Sequence, residues 1–303
     1  MKSLDEALPL LGIVRTDGAA IPLRGLVQSA PHAPVLLIAP AMGTPARFYR
    51  KFVKNLYRAG LTALTMEFRG QGECEPKFVR GVRYGYRELV EVDLPAVVRT
   101  AQGLFPDAPL FLTGHSLGGQ LSLLHGASGR SPGLKGVAIV ASGSGWYRSF
   151  GGTAALRILV RGQLALVISL CLGHWPGERL RFGGLQPTGL IREWTRQQRT
   201  GRYSVDRSAA DYEALLAELR LPVFAASVEA DPLAPPGSVD HLLDKVRNAP
   251  VVRWQFTEAE AQGAPLDHFR WVRCSMPLAQ RLAAWTASVN GSEGKDEGEQ
   301  RAY

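Results

Sequence analysis

The chain has 303 residues, 46% of them hydrophobic and 20% charged, with a formal net charge of +8. That length holds one large α/β domain plus an insertion and does not demand two separate domains. Cys74, Cys171 and Cys274 are odd in number, widely spaced and outside any Cys-x-x-Cys or Cys/His cluster, which argues against a disulfide framework or a zinc site and fits a reducing cytoplasm.

The opening Met1-Lys2-Ser3-Leu4-Asp5-Glu6 carries acids where a secretory signal needs cations and leads into no long apolar run, so no targeting segment is expected. Residues 11–15 and 21–28 flank the turn signal Thr16-Asp17-Gly18 and predict an antiparallel hairpin. Residues 35–39 form a short apolar run, the mark of a strand covered on both faces. Elements then alternate: a helix over 46–58 ending at Gly60, a strand over 61–68, a helix over 87–103, a strand over 109–112, a helix over 120–127 and a strand over 136–141. After an interruption come strands at 221–228 and 251–256, with helices near 239–246 and 278–285. Such alternation predicts a mostly parallel sheet with helices on both faces, its ligands lying beyond the strand carboxyl ends.

The interruption, residues 145–204, holds a helix-like segment at 154–163 followed by the apolar run 164–172. A membrane-spanning helix is the competing reading, yet the uninterrupted run is about half of the ~18 residues required. Arg157 and Arg161 lie in the longer window, at roughly 2.5–3.5 kcal/mol each near a bilayer centre. The segment therefore reads as a helical lid on a core made of 1–144 and 205–289. Being apolar on all sides after Leu164, its helix needs a covering surface: the core by default, otherwise a partner or an acyl chain. The polar, Gly/Glu-rich tail 290–303 is expected to be disordered.

The basic residues are uneven, with seven arginines between positions 179 and 207 against Glu178, Glu193 and Asp206. Arg192, Arg196 and Arg199 share one helix face. This reads as a solvated face; the alternative is attraction to an anionic substrate or a lipid surface. No nucleic-acid motif accompanies them, so no nucleic-acid partner is expected.

The chemistry centres on Gly114-His115-Ser116-Leu117-Gly118, a G-x-S-x-G run between a strand and a helix. That context strains the serine backbone and lifts its hydroxyl out at the sheet's carboxyl edge. A serine hydroxyl needs a general base, and the base needs an orienting carboxylate. Of six histidines, His268 alone falls in a loop after the last strand and before the closing helix; His115 belongs to the elbow and points away, while His32, His125, His174 and His241 lie elsewhere. Asp231 directly follows a strand and opens Asp-Pro-Leu-Ala-Pro-Pro, whose prolines stiffen the turn. Glu229 is its nearest rival, and Asp267, Glu258 and Glu260 are weaker ones. Oxyanion donors are expected at the N–H of Leu117 and, in the loop 39–44, at Met42, where Gly43 lets the backbone turn. Met42 as a gap-filling core residue is the alternative.

With these residues the chain resembles an α/β-hydrolase, over nearly its whole length. Residues 66–74 (MEFRGQGEC) resemble the family's D-x-R-G-x-G-x-S turn, with Glu67 for the usual aspartate and Cys74 for the usual serine; Pro40-Ala41 stands where a His-Gly pair is familiar. It is most similar to bacterial hydrolases of the serine aminopeptidase-like branch with a compact lid. The resemblance implies an α/β-hydrolase fold and a carboxylic-ester hydrolase working through Ser116, His268 and Asp231, without metal or cofactor. Amide or thioester cleavage, and a pocket that binds without turnover, are the alternatives.

Overall fold

Each central strand is apolar at nearly every position, and its alternate residues feed two separate cores. The computed structural model describes residues 7–78 and 81–300, with side chains as far as Gly291; the expectation for the first six residues lies outside them. The hairpin β1 (Leu10–Thr16) and β2 (Ala19–Leu26) is antiparallel. Then follow β3 (Val35–Ala39), α1 (Arg50–Arg58), β4 (Thr62–Thr65), α2 (Leu94–Leu104), β5 (Leu110–His115), α3 (Leu117–Ala127) and β6 (Leu134–Val140). One eight-stranded sheet has the order β1-β2-β4-β3-β5-β6-β9-β10, where β9 is Val223–Val228 and β10 is Val251–Phe256. All pairings from β4 to β10 are parallel.

Period-two alternation sorts the side chains. Leu37, Leu112, Ile139 and Ala225 join one core with α2 and α3; Leu36, Phe111, Val140 and Phe224 join the other, under α1 and the last helix. Fully covered inner strands suit a parallel sheet, and the half-exposed β1 suits an edge.

Two local departures from the sequence reading have physical causes. The strand expected over 61–68 pairs only from Thr62 to Thr65, because its chain turns away at Gly70, whose φ is +73°. The helix expected over 87–103 opens with a wide π turn, Glu88–Asp93. Pro95 follows at the start of α2 and has no N–H to close a normal turn. That turn delivers Asp93 to Arg69: Nε and Nη2 donate to its two carboxylate oxygens at 2.7 and 2.6 Å, in the interior.

Between β6 and β9, which are neighbours in the sheet, the chain makes a long excursion. It contains α4 (Gly152–Leu172), a two-stranded ribbon of β7 (His174–Pro176) and β8 (Leu185–Pro187) joined through the short α5 (Gly177–Leu180), then α6 (Thr188–Thr200) and α7 (Tyr212–Glu218). α7 was not anticipated; Asp211 caps it, accepting from the N–H groups of Glu213 and Ala214. α8 (Pro236–Leu243) and α9 (Met276–Gln300) complete the fold. The tail from 290, expected to lack structure, continues α9 to Gln300, and 301–303 lie outside the described residues.

α4 is one continuous helix of 21 residues, long and apolar enough by length and composition to cross a membrane. The expected covering surface is absent along one side: only Gly162, Ala165 and Ser169 are buried. That buried side lies on α6, where the Ser169 hydroxyl donates to Thr188 Oγ1 (3.0 Å) and Gly162 leaves room for the Gln198 amide.

Glu193 of α6 ties the excursion to the core. Its two carboxylate oxygens accept from the N–H groups of Tyr86 and Asp206, each at 2.7 Å. Burial pushes its carboxyl up from an ordinary 4.5 to about 7. The folded state therefore holds a proton that the unfolded chain releases first, so this group's contribution to stability is present below pH 4.5 and is lost as pH rises towards 7. We expect urea unfolding of the wild type to lose stability relative to Glu193→Gln across that window, by at most about 1.4 kcal/mol per pH unit. Parallel pH profiles for the two proteins would show that Glu193 does not titrate abnormally.

Candidate active site

Ser116 occupies the turn between β5 and α3 with φ 53° and ψ −120°, a conformation that costs a non-glycine residue about 1–3 kcal/mol. Close backbone approach makes the turn possible. A Cβ on Gly114 would stand 2.3 Å from the Gly118 carbonyl, and one on Gly118 would stand 2.3 Å from the Ala39 oxygen. Two further bonds fix the serine backbone: its N–H donates to the Val140 carbonyl (3.1 Å), and its carbonyl accepts from the Ser142 hydroxyl (2.7 Å).

The structure brings three of the expected residues into line. His268 Nε2 lies 2.9 Å from Ser116 Oγ, and His268 Nδ1 lies 2.8 and 3.0 Å from the two oxygens of Asp231. Both His268 and Asp231 are buried. The turn after β9 aims the carboxylate, since Asp231 Oδ1 also accepts from the N–H groups of Leu233 (2.8 Å) and Ala234 (3.0 Å). The rival acids are engaged elsewhere. Glu229 accepts from the Glu258 N–H, Glu258 from the Leu266 N–H, Glu260 from the Trp254 indole, and Asp267 from the N–H groups of Phe269 and Arg270.

The other histidines also have structural partners. His125 is buried between the Val90 carbonyl and Ser131, and burial lowers it to about 4; His241 meets the Ser144 hydroxyl. His32 contacts the Asp107 carbonyl, and His174 the Leu172 carbonyl.

His115 points away from the Ser116 hydroxyl, as expected, yet it is far from idle. The Ala41 N–H donates to the Tyr49 hydroxyl (2.8 Å), and Tyr49 Oη lies 2.8 Å from His115 Nδ1. His115 Nε2 in turn lies 2.8 Å from the His268 carbonyl, which also accepts from the Trp271 indole (3.1 Å). Burial first, and the neighbouring His268 second, hold His115 well below its ordinary pKa, so it is neutral. A neutral ring with its proton on Nε2 accepts from Tyr49 and donates to His268 O, satisfying both ends. This chain couples the loop after β3, the elbow and the loop before α9. Tyr49 and Ser142 carry no sequence signal, because their partners lie 8 to 66 positions away.

Leu117 follows Ser116 directly, and Met42 lies in the loop after β3, partly buried against the core. Among the described residues neither backbone N–H donates a hydrogen bond. Leu117 is the first residue of α3, where helix N–H groups lack partners. Gly43 is pressed against the Gly183-Gly184 turn of the excursion: a Cβ on Gly43 would lie 2.2 Å from the Gly183 carbonyl, and one on Gly183 would lie 2.9 Å from Met42 Sδ. Gln71 reinforces that seam by donating to the Leu185 carbonyl (2.7 Å).

The substituted turn has a structural use. Glu67 is buried and accepts from the N–H groups of Ala46 (2.9 Å) and Glu73 (3.2 Å), so its carboxylate caps the turn before α1. Among the described residues no cluster of three or more His, Cys, Asp or Glu side chains could hold a metal.

Residues 30–177 match the family model described as Hydrolase_4, serine aminopeptidase, S33. No curated protein matches the sequence. Among solved structures, the chain is similar to a soluble variant of monoglyceride lipase from Saccharomyces cerevisiae, with 13% identity, a TM-score of 0.71 and coverage of 95% of this chain and 97% of that one. It is also similar to a carboxyl esterase from Bacillus coagulans, at 14% identity and a TM-score of 0.62 over 94% of this chain and 99% of that one. A thioesterase domain of the curacin biosynthetic pathway matches at 15% identity and a TM-score of 0.57, over 90% and 99%. The chain thus has the α/β-hydrolase fold, and its residues 30–177 are similar to the serine aminopeptidase S33 family.

Proposed function

We propose that the protein is a serine hydrolase that cleaves carboxylic esters of small or acyl-chain substrates through an acyl-enzyme on Ser116. The observation that carries this reading is the single line Ser116 Oγ, His268 and Asp231, with contacts of 2.9 and 2.8 Å. His268 takes the Ser116 proton as Oγ attacks the ester carbonyl, and Asp231 holds the imidazole with its proton on Nδ1. The N–H groups of Leu117 and Met42 receive the developing oxyanion; their lack of other partners supports that role. The tetrahedral species collapses, the alcohol leaves with the proton from His268, and water repeats the sequence to release the acid. Residues 145–204 act as a lid on a core of 1–144 and 205–289. Similarity of fold to a monoglyceride lipase and a carboxyl esterase supports an ester substrate, and similarity to a thioesterase domain makes a thioester the second reading.

A fluorophosphonate probe should label Ser116, with no labelling of Ser116→Ala and weaker labelling of His268→Ala. Mapping of the adduct to Ser122 or Ser144 would move the nucleophile. Turnover should fall by about 10⁴–10⁶ on loss of the serine or histidine, and less for Asp231→Asn. Aryl esters of graded acyl length should be hydrolysed with an optimum length; turnover of thioesters or aminoacyl anilides alone would change the reaction class, and binding without turnover would make the protein a binder.

Tyr49 serves as a positioning residue between the oxyanion loop and His115. Tyr49→Phe leaves the buried Ala41 N–H and His115 Nδ1 without partners, at a cost of about 1–3 kcal/mol. We expect a lower unfolding midpoint together with a fall in kcat at nearly constant KM. Unchanged kcat in a destabilised variant would reduce Tyr49 to a structural residue.

A further inference from the structure

The outer side of α4 is an unpartnered apolar stripe. Leu156, Val160, Leu164, Val167 and Leu170 follow one another at helical spacing, and each is between 53% and 63% exposed. They lie opposite the side formed by Gly162, Ala165 and Ser169, which packs on α6. Arg157 and Arg161 border the stripe along one edge, both exposed, and α4 contains no acidic residue. From 145 to 184 the chain carries Arg148, Arg157, Arg161, Arg179 and Arg181 against Glu178 alone. Leu180 and Phe182, alternating with two of those arginines, are also exposed. Leu170, at the end of the stripe, lines a cavity of about 820 Å³ whose wall carries Arg83, Arg192 and Arg207 against Glu193 and Asp206.

We propose that this face of α4 docks the protein onto an anionic lipid surface, the helix lying in the interface plane rather than crossing it. Crossing is opposed by the fold, which holds one side of α4 on α6 through Ser169 and Thr188 and joins both helix ends to packed structure. Lying flat suits it: an apolar stripe enters the headgroup boundary while long arginines at its edge reach the phosphates. A second copy of the chain is a poorer occupant. A two-fold pairing along the stripe would set the same cationic edge against itself, and one helix face is narrow beside the ~800 Å² per partner of a stable dimer. The docked face and the reaction site belong to one body, because the Gly183-Gly184 turn of the same excursion rests on Gly43 of the oxyanion loop.

The test is vesicle co-sedimentation of the full chain with phosphatidylcholine alone and with about 30% phosphatidylglycerol added. Wild type should partition onto the anionic vesicles, and about 0.5 M salt should weaken this. Val160→Glu combined with Val167→Glu should lower partitioning at least about ten-fold, as should Arg157→Ala combined with Arg161→Ala. All four side chains are exposed, so unfolding midpoints should stay at the wild-type value. Equal binding to neutral and anionic vesicles, no binding, or binding that survives both pairs of substitutions would overturn the proposal. So would a wild-type dimer, formed without lipid and dissolved by the valine substitutions, since it would assign the stripe to a second copy. Vesicle binding does not depend on turnover, so a chain that binds vesicles but hydrolyses no ester refutes only the proposed reaction.

Discussion

The structure depends on how closely three backbones approach at the elbow. Gly114 and Gly118 let β5, α3 and the end of β3 meet with no side chain between them, and Ser116 is held at φ 53° as a result. That strain persists only because the surroundings over-determine it. Val140 and Ser142 from β6 and the loop beyond it bond to the serine backbone. A sheet with two well-packed faces supplies the rigidity, so the burial of β3, β5 and β6 and the exposure of one hydroxyl are parts of the same arrangement.

Beyond the elbow, polar groups at the carboxyl edge are arranged in two layers. The outer one is Ser116, His268 and Asp231; the inner one is Ala41, Tyr49, His115 and the His268 backbone. Burial keeps the inner histidine neutral, which lets it accept at one nitrogen and donate at the other. A charged ring there would leave the Tyr49 hydroxyl facing a second donor. The two layers share His268, so the pose of its ring is set from behind as well as by Asp231.

The sheet, the elbow serine and the aspartate turn were legible in the sequence because their signals are local, whereas His268 was legible only by its place between the last strand and the closing helix. An apolar run such as residues 35–39, the G-x-S-x-G spacing, and an aspartate followed by prolines each state their structure within a few residues. Tyr49 and Trp271 were illegible, since a tyrosine in an amphipathic helix and a tryptophan near a helix start look like ordinary core. The choice of Asp231 over Glu229 was legible only as position after a strand; the structure separates them by giving Glu229 to the Glu258 backbone. The π turn before α2 was hidden because its cause, Pro95 answering to a buried Arg69 and Asp93 pair, joins segments 24 residues apart.

The α4 helix shows where pattern reasoning stops. Apolar residues on every side mean that surface is to be covered, but they do not say by what. The default cover, the chain's own core, takes only the side holding Gly162, Ala165 and Ser169. Small residues there bring α4 close to α6, and the large aliphatic residues are turned outward. Large apolar side chains outward and small ones inward invert the usual order of a water-facing helix, and arginines along the edge give the outward face a sign of charge. What covers that face must therefore be apolar in its depth and negative at its rim, a combination that a bilayer with anionic headgroups presents and bulk water does not.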